Sequence, residues 1–475
     1  MRLRLLVIAV VLLGLGAGAR DARALGLTLG FSADPALTGA TPAATDTWIP
    51  RAVAEGAQIV RVNLTWSEVA PLDLPPSSFD TADPASRAYD WSAIDASVRD
   101  LTSRGLQVLL NITGAPAWAQ GPDAPPDVAP GTWRPDPTQF ADFATAAALR
   151  YDGRFPDPLH PGAFLPRVRY WQPWNEPNLS YYLTPQWTQS AHGWAPASPT
   201  IYRQLLNAFY RAVKRVAASN FVVTAGTAPY GDPPGGQRMP PVAFDRSLFC
   251  LRDNARLTPV SCPDPPHLDA LSHHPYAIYG PLWHALNPGD AAVPDMYKIA
   301  DVLHAAVRAG HVQPAGPKQL WVTEISWDSS PPDPDGVPIA KQADWLEQAM
   351  YVLWREGVST VLWLQIVDAP PIPNYGSTYQ AGLYYIGGGA KPAAQAFRFP
   401  FVTQRSGAAR IEAWGRSPAN GNVAIEQRRG SRWVLLRTLP ARVDQVFTAT
   451  LPVRGYSMLR AQIGGQTSLD WTQRG

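Results

Sequence analysis

Two glutamates lie among aromatic residues in two short segments that are far apart in the sequence. Residues 170–178 read YWQPWNEPN and contain Glu176, and residues 321–327 read WVTEISW and contain Glu324. Each segment has the β-branched and aromatic residues that are typical of a strand and its end. Two carboxyl groups that flank one bond can supply an acid/base and a nucleophile, as cleavage of a glycosidic bond requires. We expect this chemistry if the fold brings the two strand ends together.

Eight strand-like runs alternate with helical patterns between residue 25 and about residue 400. The runs cover residues 25–30, 59–65, 107–112, 168–174, 221–226, 268–272, 319–324 and 360–366. Between them apolar residues recur at helical spacing, as at Ile94, Val98 and Leu101. Eight such units predict an α/β fold, a (β/α)₈ TIM barrel. An open doubly wound sheet is the alternative, but no Gly-rich dinucleotide fingerprint follows the first strand.

The connections also favour a barrel. Glycines stand directly before strands at Gly56, Gly105, Gly310 and Gly357, where a left-handed residue ends a helix in a tight turn. The segments that follow strands are longer and rich in Pro, Trp and Tyr, as in residues 115–137 and 178–200. A barrel with its chemistry at the C-terminal ends of its strands has this asymmetry.

Residues 401–475 have a different pattern. Alternating apolar and polar runs cover residues 410–414, 422–427, 433–439, 446–451 and 457–462, without a helix of useful length between them. We predict a small all-β, sandwich-like accessory domain after a barrel of residues 25–400. Carbohydrate binding and a packing or spacer role are both open for it, because no aromatic platform is evident.

The two glutamate segments resemble clan A of the glycoside hydrolases, particularly families 39 and 5. In that clan an Asn-Glu pair ends strand four and a glutamate ends strand seven. The resemblance implies that Glu176 is the acid/base, that Asn175 binds the sugar 2-hydroxyl and that Glu324 is the nucleophile. It covers nearly all of residues 25–400. The histidine that family 5 has near strand three lacks a counterpart in residues 107–119, which favours family 39 or an outlying subfamily.

Further residues match the clan's substrate-binding positions. Arg61 resembles the arginine that steadies the nucleophile, with an ordinary ion pair as the alternative. His274 and Tyr276, two residues apart, share one face where they can contact sugar and Glu324, whereas His273 points away and is expected to be structural. Trp363 resembles the tryptophan under the sugar site, with core packing as the alternative. Weaker predictions of substrate contact fall on Asn111 and Trp118.

The N-terminus and the cysteines predict an oxidising compartment. A basic start and an apolar run precede Ala22-Arg23-Ala24, which suggests a signal peptide over residues 1–24 and a secreted protein, extracellular or periplasmic; an uncleaved anchor is the alternative. The only cysteines, Cys250 and Cys262, can form a disulfide, with two free thiols as the alternative. Three glycosylation-like triplets, at Asn63, Asn111 and Asn178, lie beside the expected cleft and are interpreted as chance matches.

Composition limits the partners. The net charge is +2, with no basic or acidic block after the N-terminus, so we expect no nucleic-acid partner, and no membrane association once the signal is cleaved. The 18 Trp and 17 Tyr suit a carbohydrate substrate as well as a core. We expect a monomer without a cofactor or metal site.

Two rival functions are weighed against a retaining glycosidase. A metal-dependent hydrolase is suggested by the His273-His274 pair, but neighbouring strand residues point in opposite directions and no His-Glu-x-x-His motif is present. A non-catalytic carbohydrate-binding barrel would keep the aromatic cleft and would need neither glutamate. A serine hydrolase is disfavoured because no Gly-x-Ser-x-Gly elbow occurs. The sugar, the linkage and endo or exo action depend on the loops, which the shared glutamates do not define.

Overall fold

The computed structural model describes residues 26–39, 41–70 and 76–474. The predicted signal peptide, residues 1–24, lies outside these residues. Eight parallel strands, β1 to β8, form one sheet; they are Thr28–Ser32, Ile59–Thr65, Gln107–Thr113, Tyr170–Pro173, Phe221–Val222, Ala270–His273, Gln319–Ile325 and Val358–Trp363. The sheet order is β5-β4-β3-β2-β1-β8-β7-β6. The parallel bridges Val223–Ala270 and Thr227–His273 join its two outer strands. The predicted (β/α)₈ barrel is therefore confirmed.

One main helix follows each barrel strand. These helices, α1 to α8, are Pro42–Ala54, Ser92–Ser103, Pro137–Arg150, Ser198–Val216, Pro241–Leu248, Met296–Ala309, Ile339–Arg355 and Pro392–Arg398. Five of them have proline in the first turn, where the missing N–H costs no hydrogen bond. Within the described residues no helix is both long enough and apolar enough to cross a membrane.

Shorter helices and strands lie within the loops. They are the helix Trp66–Val69, the 3₁₀ turns Pro76–Ser78, Ala117–Ala119, Val293–Asp295 and Tyr375–Ser377, the hairpin of Trp187–Ser190 with Gly193–Pro196, and the parallel pair Ser329–Ser330 with Val337–Pro338. The predicted tight turns before strands are also present. Gly56, Gly105, Gly310 and Gly357 all have positive φ, between 73° and 90°.

The barrel interior changes from apolar to polar along the strands. A lower layer contains Ile59, Leu109, Ala270 and Trp321. Two residues further on, each of these strands places a polar residue that is also buried: Arg61, Asn111, Ser272 and Thr323. Because side chains alternate along a strand, the step of two keeps both layers on the inner face. The polar layer therefore lies directly beneath the C-terminal mouth of the barrel.

An antiparallel region follows the barrel. Its strands, β9 to β16, are Phe401–Gly407, Arg410–Arg416, Gly421–Arg429, Arg432–Ala441, Val446–Leu451, Ser457–Ile463, Gln466–Thr467 and Trp471–Gln473. One sheet has the order β9-β10-β13; the other has the order β12-β11-β14-β15, with β16 also paired to β14. A shared apolar cluster that includes Phe401, Ile425 and Leu459 joins them. The predicted all-β fold of the C-terminal region is confirmed, and its sheets are antiparallel.

This antiparallel region packs against the barrel. Trp414 is 1% exposed and lies 5.7 Å from the ring of Tyr351 and 6.0 Å from that of Trp354, both on α7. Buried Arg416, the last residue of β10, donates to the carbonyl of Leu27 (2.8 Å), just before β1, and to Asp444 (2.7 Å), just before β13. The contact surface thus lies away from the strand ends that carry the glutamates.

Candidate active site

The turn after β4 directs Glu176 over the mouth of the barrel. Trp174 and Glu176 both have positive φ, 74° and 34°, so the chain leaves the extended conformation at Trp174 and β4 ends earlier than predicted. Residues other than glycine rarely adopt this region, and such strain concentrates at functional sites. Glu176 N–H donates to the carbonyl of Gly226 (3.1 Å), which ties the turn to the segment after β5.

A buried asparagine fixes the same turn from the other side. Asn178 is fully buried, and its Nδ2 donates to the carbonyls of Ala228 and Met239, each at 3.0 Å. Its Oδ1 accepts from Ala228 N–H at 2.8 Å. With all three amide positions used, the asparagine holds the loops after β4 and β5 together. The backbone that carries Glu176 is therefore positioned on both sides.

Glu324 lies across the mouth from Glu176 and is held by two donors. Nη1 of Arg61 donates to its Oε1, and the Tyr276 hydroxyl donates to its Oε2 at 3.0 Å. Burial opposes ionisation of Glu324, but the charge of the Arg61 guanidinium and the hydrogen bonds from Arg61 and Tyr276 hold its pKa below the usual value. Glu324 is thus kept as a carboxylate, the form that a nucleophile requires.

Arg61 is the centre of the polar layer. It is 1% exposed, and besides Glu324 it donates from Nε to Gln172 Oε1 (2.6 Å) and from Nη2 to Asn175 Oδ1 (2.6 Å). Its Nη1 also lies 3.2 Å from the Ser32 hydroxyl. A buried guanidinium needs such partners for its donors. Arg61 therefore fixes both Glu324 and Asn175, the residue before Glu176.

His274 connects the two glutamates. Its Nδ1 lies 2.9 Å from Glu176 Oε1 and 3.8 Å from Glu324 Oε2. One oxygen of each glutamate and a nitrogen of His274 all lie within 4.8 Å of one another. Retaining glycosidases have their carboxyl groups about 5–5.5 Å apart, and inverting enzymes have them farther apart to admit a water. The two carboxyl groups here are therefore closer together than those of an inverting pair.

The other predicted site residues occupy different depths. Asn111 is 1% exposed; in the amide orientation that satisfies both polar atoms it donates to the carbonyl of Trp174 (2.7 Å) and accepts from Arg61 Nη2 (3.0 Å). Trp363 is also 1% exposed and donates to the carbonyl of Ala381 (2.8 Å). Trp118 packs edge-on against Trp66, with ring centroids 5.6 Å apart. For all three, substrate contact stays a prediction.

His273 and the cysteines lie outside this cluster. His273 is fully buried between the Thr227 hydroxyl and the carbonyl of Ala291, each at 2.8 Å, and burial lowers its pKa to about 3. The ring is therefore neutral. It points away from the glutamates, as the alternation of side chains along a strand predicts. The sulfurs of Cys250 and Cys262 are bonded to each other after α5.

Several residues at the site carry no signal in the sequence. Gln172 and Thr323 are buried beneath the glutamates. Tyr182 and Tyr379, from the loops after β4 and β8, have raised pKa values because of burial and the nearby charges of Glu176 and Glu324. Gly226 has no room for a side chain, because a Cβ there would collide with the His274 ring. Only the closed barrel reveals these neighbours, since they come from different strands.

The rim of the mouth is apolar on one side. Five large side chains of the loop after β6 are at least 58% exposed: Ile278, Tyr279, Leu282, Trp283 and Leu286. Buried Asp295 anchors this loop, because its carboxylate accepts from Ala285 N–H (2.8 Å) and lies 2.9 Å from His284 Nδ1. The loop after β6 therefore carries exposed apolar side chains on the C-terminal side of the barrel.

The fold is a (β/α)₈ barrel followed by antiparallel sheets, and glycoside hydrolases are among the solved structures that are similar to it. Among solved structures, a family 39 glycoside hydrolase from the gut symbiont Bacteroides cellulosilyticus WH2 is 18% identical, with 90% of this chain and 81% of that chain covered and a TM-score of 0.54. A glucosidase from Croceicoccus marinus is 15% identical, with 90% and 93% covered and a TM-score of 0.51. No family model and no curated protein matches the sequence. The expected resemblance to these enzymes is confirmed in the fold.

Proposed function

We propose that the protein is a secreted retaining glycoside hydrolase that cleaves β-linked O-glycosidic bonds by double displacement. The observation that carries the proposal is the geometry of the pair. Carboxylate oxygens of Glu176 and Glu324 lie within 4.8 Å of each other, and of the two glutamates only Glu324 accepts hydrogen bonds from Arg61 and Tyr276. The two glutamates thus have different surroundings, and different surroundings give paired carboxyl groups different roles.

In the first step Glu324 attacks the anomeric carbon while Glu176 protonates the departing oxygen. Arg61 and Tyr276 keep Glu324 ionised and fix both of its oxygens, so little reorganisation is needed before attack. In the second step Glu176 takes a proton from water, and the water replaces Glu324 at the anomeric carbon. Two inversions leave the product with the configuration of the substrate.

Asn175 supports sugar binding in this proposal. Its Oδ1 accepts from Arg61, and among the described residues its Nδ2 has no protein acceptor. That nitrogen is available to donate to a sugar hydroxyl beside Glu176. The exposed rings of Tyr279 and Trp283 add apolar surface on which further sugar units can stack. A β-linked oligo- or polysaccharide is the proposed substrate class.

The stereochemical course tests the mechanism. We expect proton NMR to detect the retained anomer first, before mutarotation, when a β-glycoside is hydrolysed. A screen of aryl β-glucosides, β-xylosides and β-mannosides identifies the sugar for this measurement. Initial release of the inverted anomer would remove Glu324 from the role of nucleophile.

Substitution of each glutamate separates the two roles. Glu324→Ala should lower the rate by several orders of magnitude on every substrate, because no covalent intermediate can form. Glu176→Ala should cost about 10²–10⁴-fold on poor leaving groups and much less on dinitrophenyl glycosides, with partial recovery in azide. Glu412→Ala, an exposed glutamate of β10, is the matched control and should keep full activity. Equal losses for both site variants on all substrates would contradict the assignment.

A metal-dependent hydrolase remains the second candidate, because Glu176, His274 and Glu324 have ligand atoms close enough to share a cation. The Arg61 guanidinium already supplies a positive charge to Glu324, which disfavours a metal ion there. Activity that survives prolonged dialysis against a chelator would support the glycosidase mechanism. Activity lost to the chelator and restored by a divalent cation would support the metal enzyme.

Secretion is proposed from the sequence of residues 1–24. Expression of the full chain should release a mature protein that begins near Leu25, as N-terminal sequencing would detect. Retention of the intact N-terminus in a membrane fraction would favour the anchor instead.

A further inference from the structure

A chain of buried hydrogen bonds lies beneath His274. The His274 Nε2 is 2.9 Å from the Thr323 hydroxyl, which is 2.6 Å from the Ser272 hydroxyl and 3.3 Å from Gln172 Nε2. All four side chains are fully buried. We call Gln172, Thr323 and Ser272 the polar relay. The effect of the polar relay on His274 bears on catalysis only if Glu176 is the acid/base, so this inference rests on the proposed function.

Arg61 fixes the direction of the first bond in the relay. A guanidinium can only donate, so the Gln172 atom 2.6 Å from Arg61 Nε must be the amide oxygen. The other atom of the Gln172 amide is therefore the NH₂ group, which donates to the carbonyl of Thr224 (2.7 Å) and to the Thr323 hydroxyl. Thr323 consequently accepts from Gln172.

Ser272 fixes the direction of the second hydrogen bond in the relay. Among the described residues, the hydrogen-bond partner of its hydroxyl is Thr323, and the group is shielded from solvent. A buried hydroxyl hydrogen without an acceptor is costly, so the Ser272 hydroxyl donates to Thr323. Thr323 now accepts from two donors, and the one remaining direction for its own hydrogen is His274 Nε2.

We infer that the polar relay holds His274 in the tautomer with its proton on Nδ1, which makes Thr323 a positioning residue for the acid/base. The Nδ1–H then donates to Glu176 Oε1, 2.9 Å away. An oxygen that accepts this hydrogen bond does not also hold the carboxylic proton on that side. The acid proton of Glu176 is therefore directed to Oε2, the oxygen available to the leaving group.

The opposite tautomer leaves the relay unsatisfied. An Nε2–H would donate to Thr323, and the Thr323 hydrogen would turn to Ser272, whose own hydrogen would then have no acceptor among the described residues. The Nδ1 lone pair would also attract the Glu176 proton to Oε1, away from the substrate. The number of satisfied hydrogen bonds and the position of the Glu176 proton thus both favour the Nδ1–H form.

The tautomer of His274 can be determined by NMR, without an activity assay. The chain has eight histidines, so ¹⁵N-histidine labelling of the full protein gives few signals, and His274→Gln assigns the one of interest. We expect ¹⁵N shifts and two-bond couplings of a neutral ring protonated at Nδ1. A native ring protonated at Nε2 would overturn the inference, whatever the enzyme hydrolyses.

Two isosteric variants test the role of the relay. In Thr323→Val the donor to Nε2 is lost, so the His274 shifts should move towards a tautomer mixture. The value of kcat/KM should fall about tenfold for phenyl glycosides, which need the acid, and less than about twofold for dinitrophenyl glycosides. Thr323→Ser should restore both readouts. Ser272→Ala is the matched control, because Thr323 then still donates to His274 and the tautomer should persist.

The outcomes separate this inference from the proposed function. If the native protein hydrolyses no aryl glycoside, the proposed function fails while the NMR result still decides the tautomer. If the native protein is an active retaining enzyme but Thr323→Val lowers both substrate types equally with an unchanged His274 spectrum, the role of the relay is overturned.

Discussion

At the scale of single residues, the site depends on the Arg61 guanidinium, which donates to several acceptors at once. Arg61 reaches Glu324, Asn175 and Gln172 from one buried position on β2. A lysine has no planar fork and would satisfy fewer of these acceptors in fixed geometry. Arg61 therefore connects the charge of Glu324 to the position of the turn after β4, and the two glutamates are not independent of each other.

The Tyr276 hydroxyl gives a testable pH dependence. Because it donates to Glu324 Oε2 at 3.0 Å and so favours the carboxylate, Tyr276→Phe should raise the pKa of Glu324. In the proposed mechanism activity requires ionised Glu324, so the acidic limb of the kcat/KM profile should move to higher pH by about one unit. Tyr351→Phe, which loses a hydroxyl bonded to Gln404 away from the mouth, is the control. A shift to lower pH would contradict this role of Tyr276.

The sequence predicts the reacting groups better than the residues that position them. Glu176 and Glu324 stand out because each lies in a short aromatic segment at the end of a predicted strand. Gln172 and Thr323 are ordinary strand residues, and their function arises only when β4, β6 and β7 meet in the barrel. Hydrogen-bond partners that are 151 residues apart, such as Gln172 and Thr323, leave no local pattern to detect.

At the scale of elements, the predicted strands are all present, and their ends are the least well predicted feature. Strand β4 ends at Pro173 because Trp174 turns into a left-handed conformation, and β8 ends at Trp363, before the predicted residue 366. Period two does predict which strand residues face inward, since polar residues follow apolar ones by two positions in the interior. The presence of a strand can thus be predicted from its own residues, whereas the residue at which it ends depends on contacts with the loops of neighbouring strands.

Helix α5 contains a buried carboxyl group with a measurable effect on stability. Neither oxygen of Asp245 has a hydrogen-bond partner among the described residues, and burial raises its pKa to about 8 from 3.8. Between these values the unfolded chain loses the proton and the folded chain keeps it, so the free energy of unfolding falls as pH rises. Asp245→Asn should remove this loss, worth up to about 3 kcal/mol between pH 5 and pH 8.

Urea denaturation at both pH values measures this effect. The wild type should lose more stability than Asp245→Asn on going from pH 5 to pH 8. Asp301→Asn, at an exposed position on α6, should behave like the wild type. Equal pH slopes for the wild type and Asp245→Asn would show that the folded protein does not hold the Asp245 proton.

At the scale of the whole molecule, the antiparallel region completes the packing of the barrel. Trp414 belongs to the same apolar core as the barrel helices, and Arg416 reaches the start of β1. Trp414→Ala should lower the free energy of unfolding by about 3–5 kcal/mol, because a large buried ring leaves a cavity. Trp433→Ala, a partly exposed ring under Arg460, should cost about 1 kcal/mol or less.

Activity assays distinguish packing from chemistry in this pair of variants. The folded fraction of Trp414→Ala should keep the wild-type kcat, since both glutamates belong to the opposite end of the barrel strands. A large loss of kcat at temperatures where the variant remains folded would instead give the antiparallel region a part in the site.

The buried amide of Asn178 restricts how the protein can be made. Residues 178–180 read Asn-Leu-Ser, a triplet to which a eukaryotic secretory pathway attaches glycans during synthesis, before the chain has folded. In the folded chain this amide makes three hydrogen bonds in an interior with no space for a sugar. A glycan added there would prevent the loops after β4 and β5 from closing. We therefore expect correct folding in hosts without N-glycosylation and misfolding of any chain that is glycosylated at Asn178.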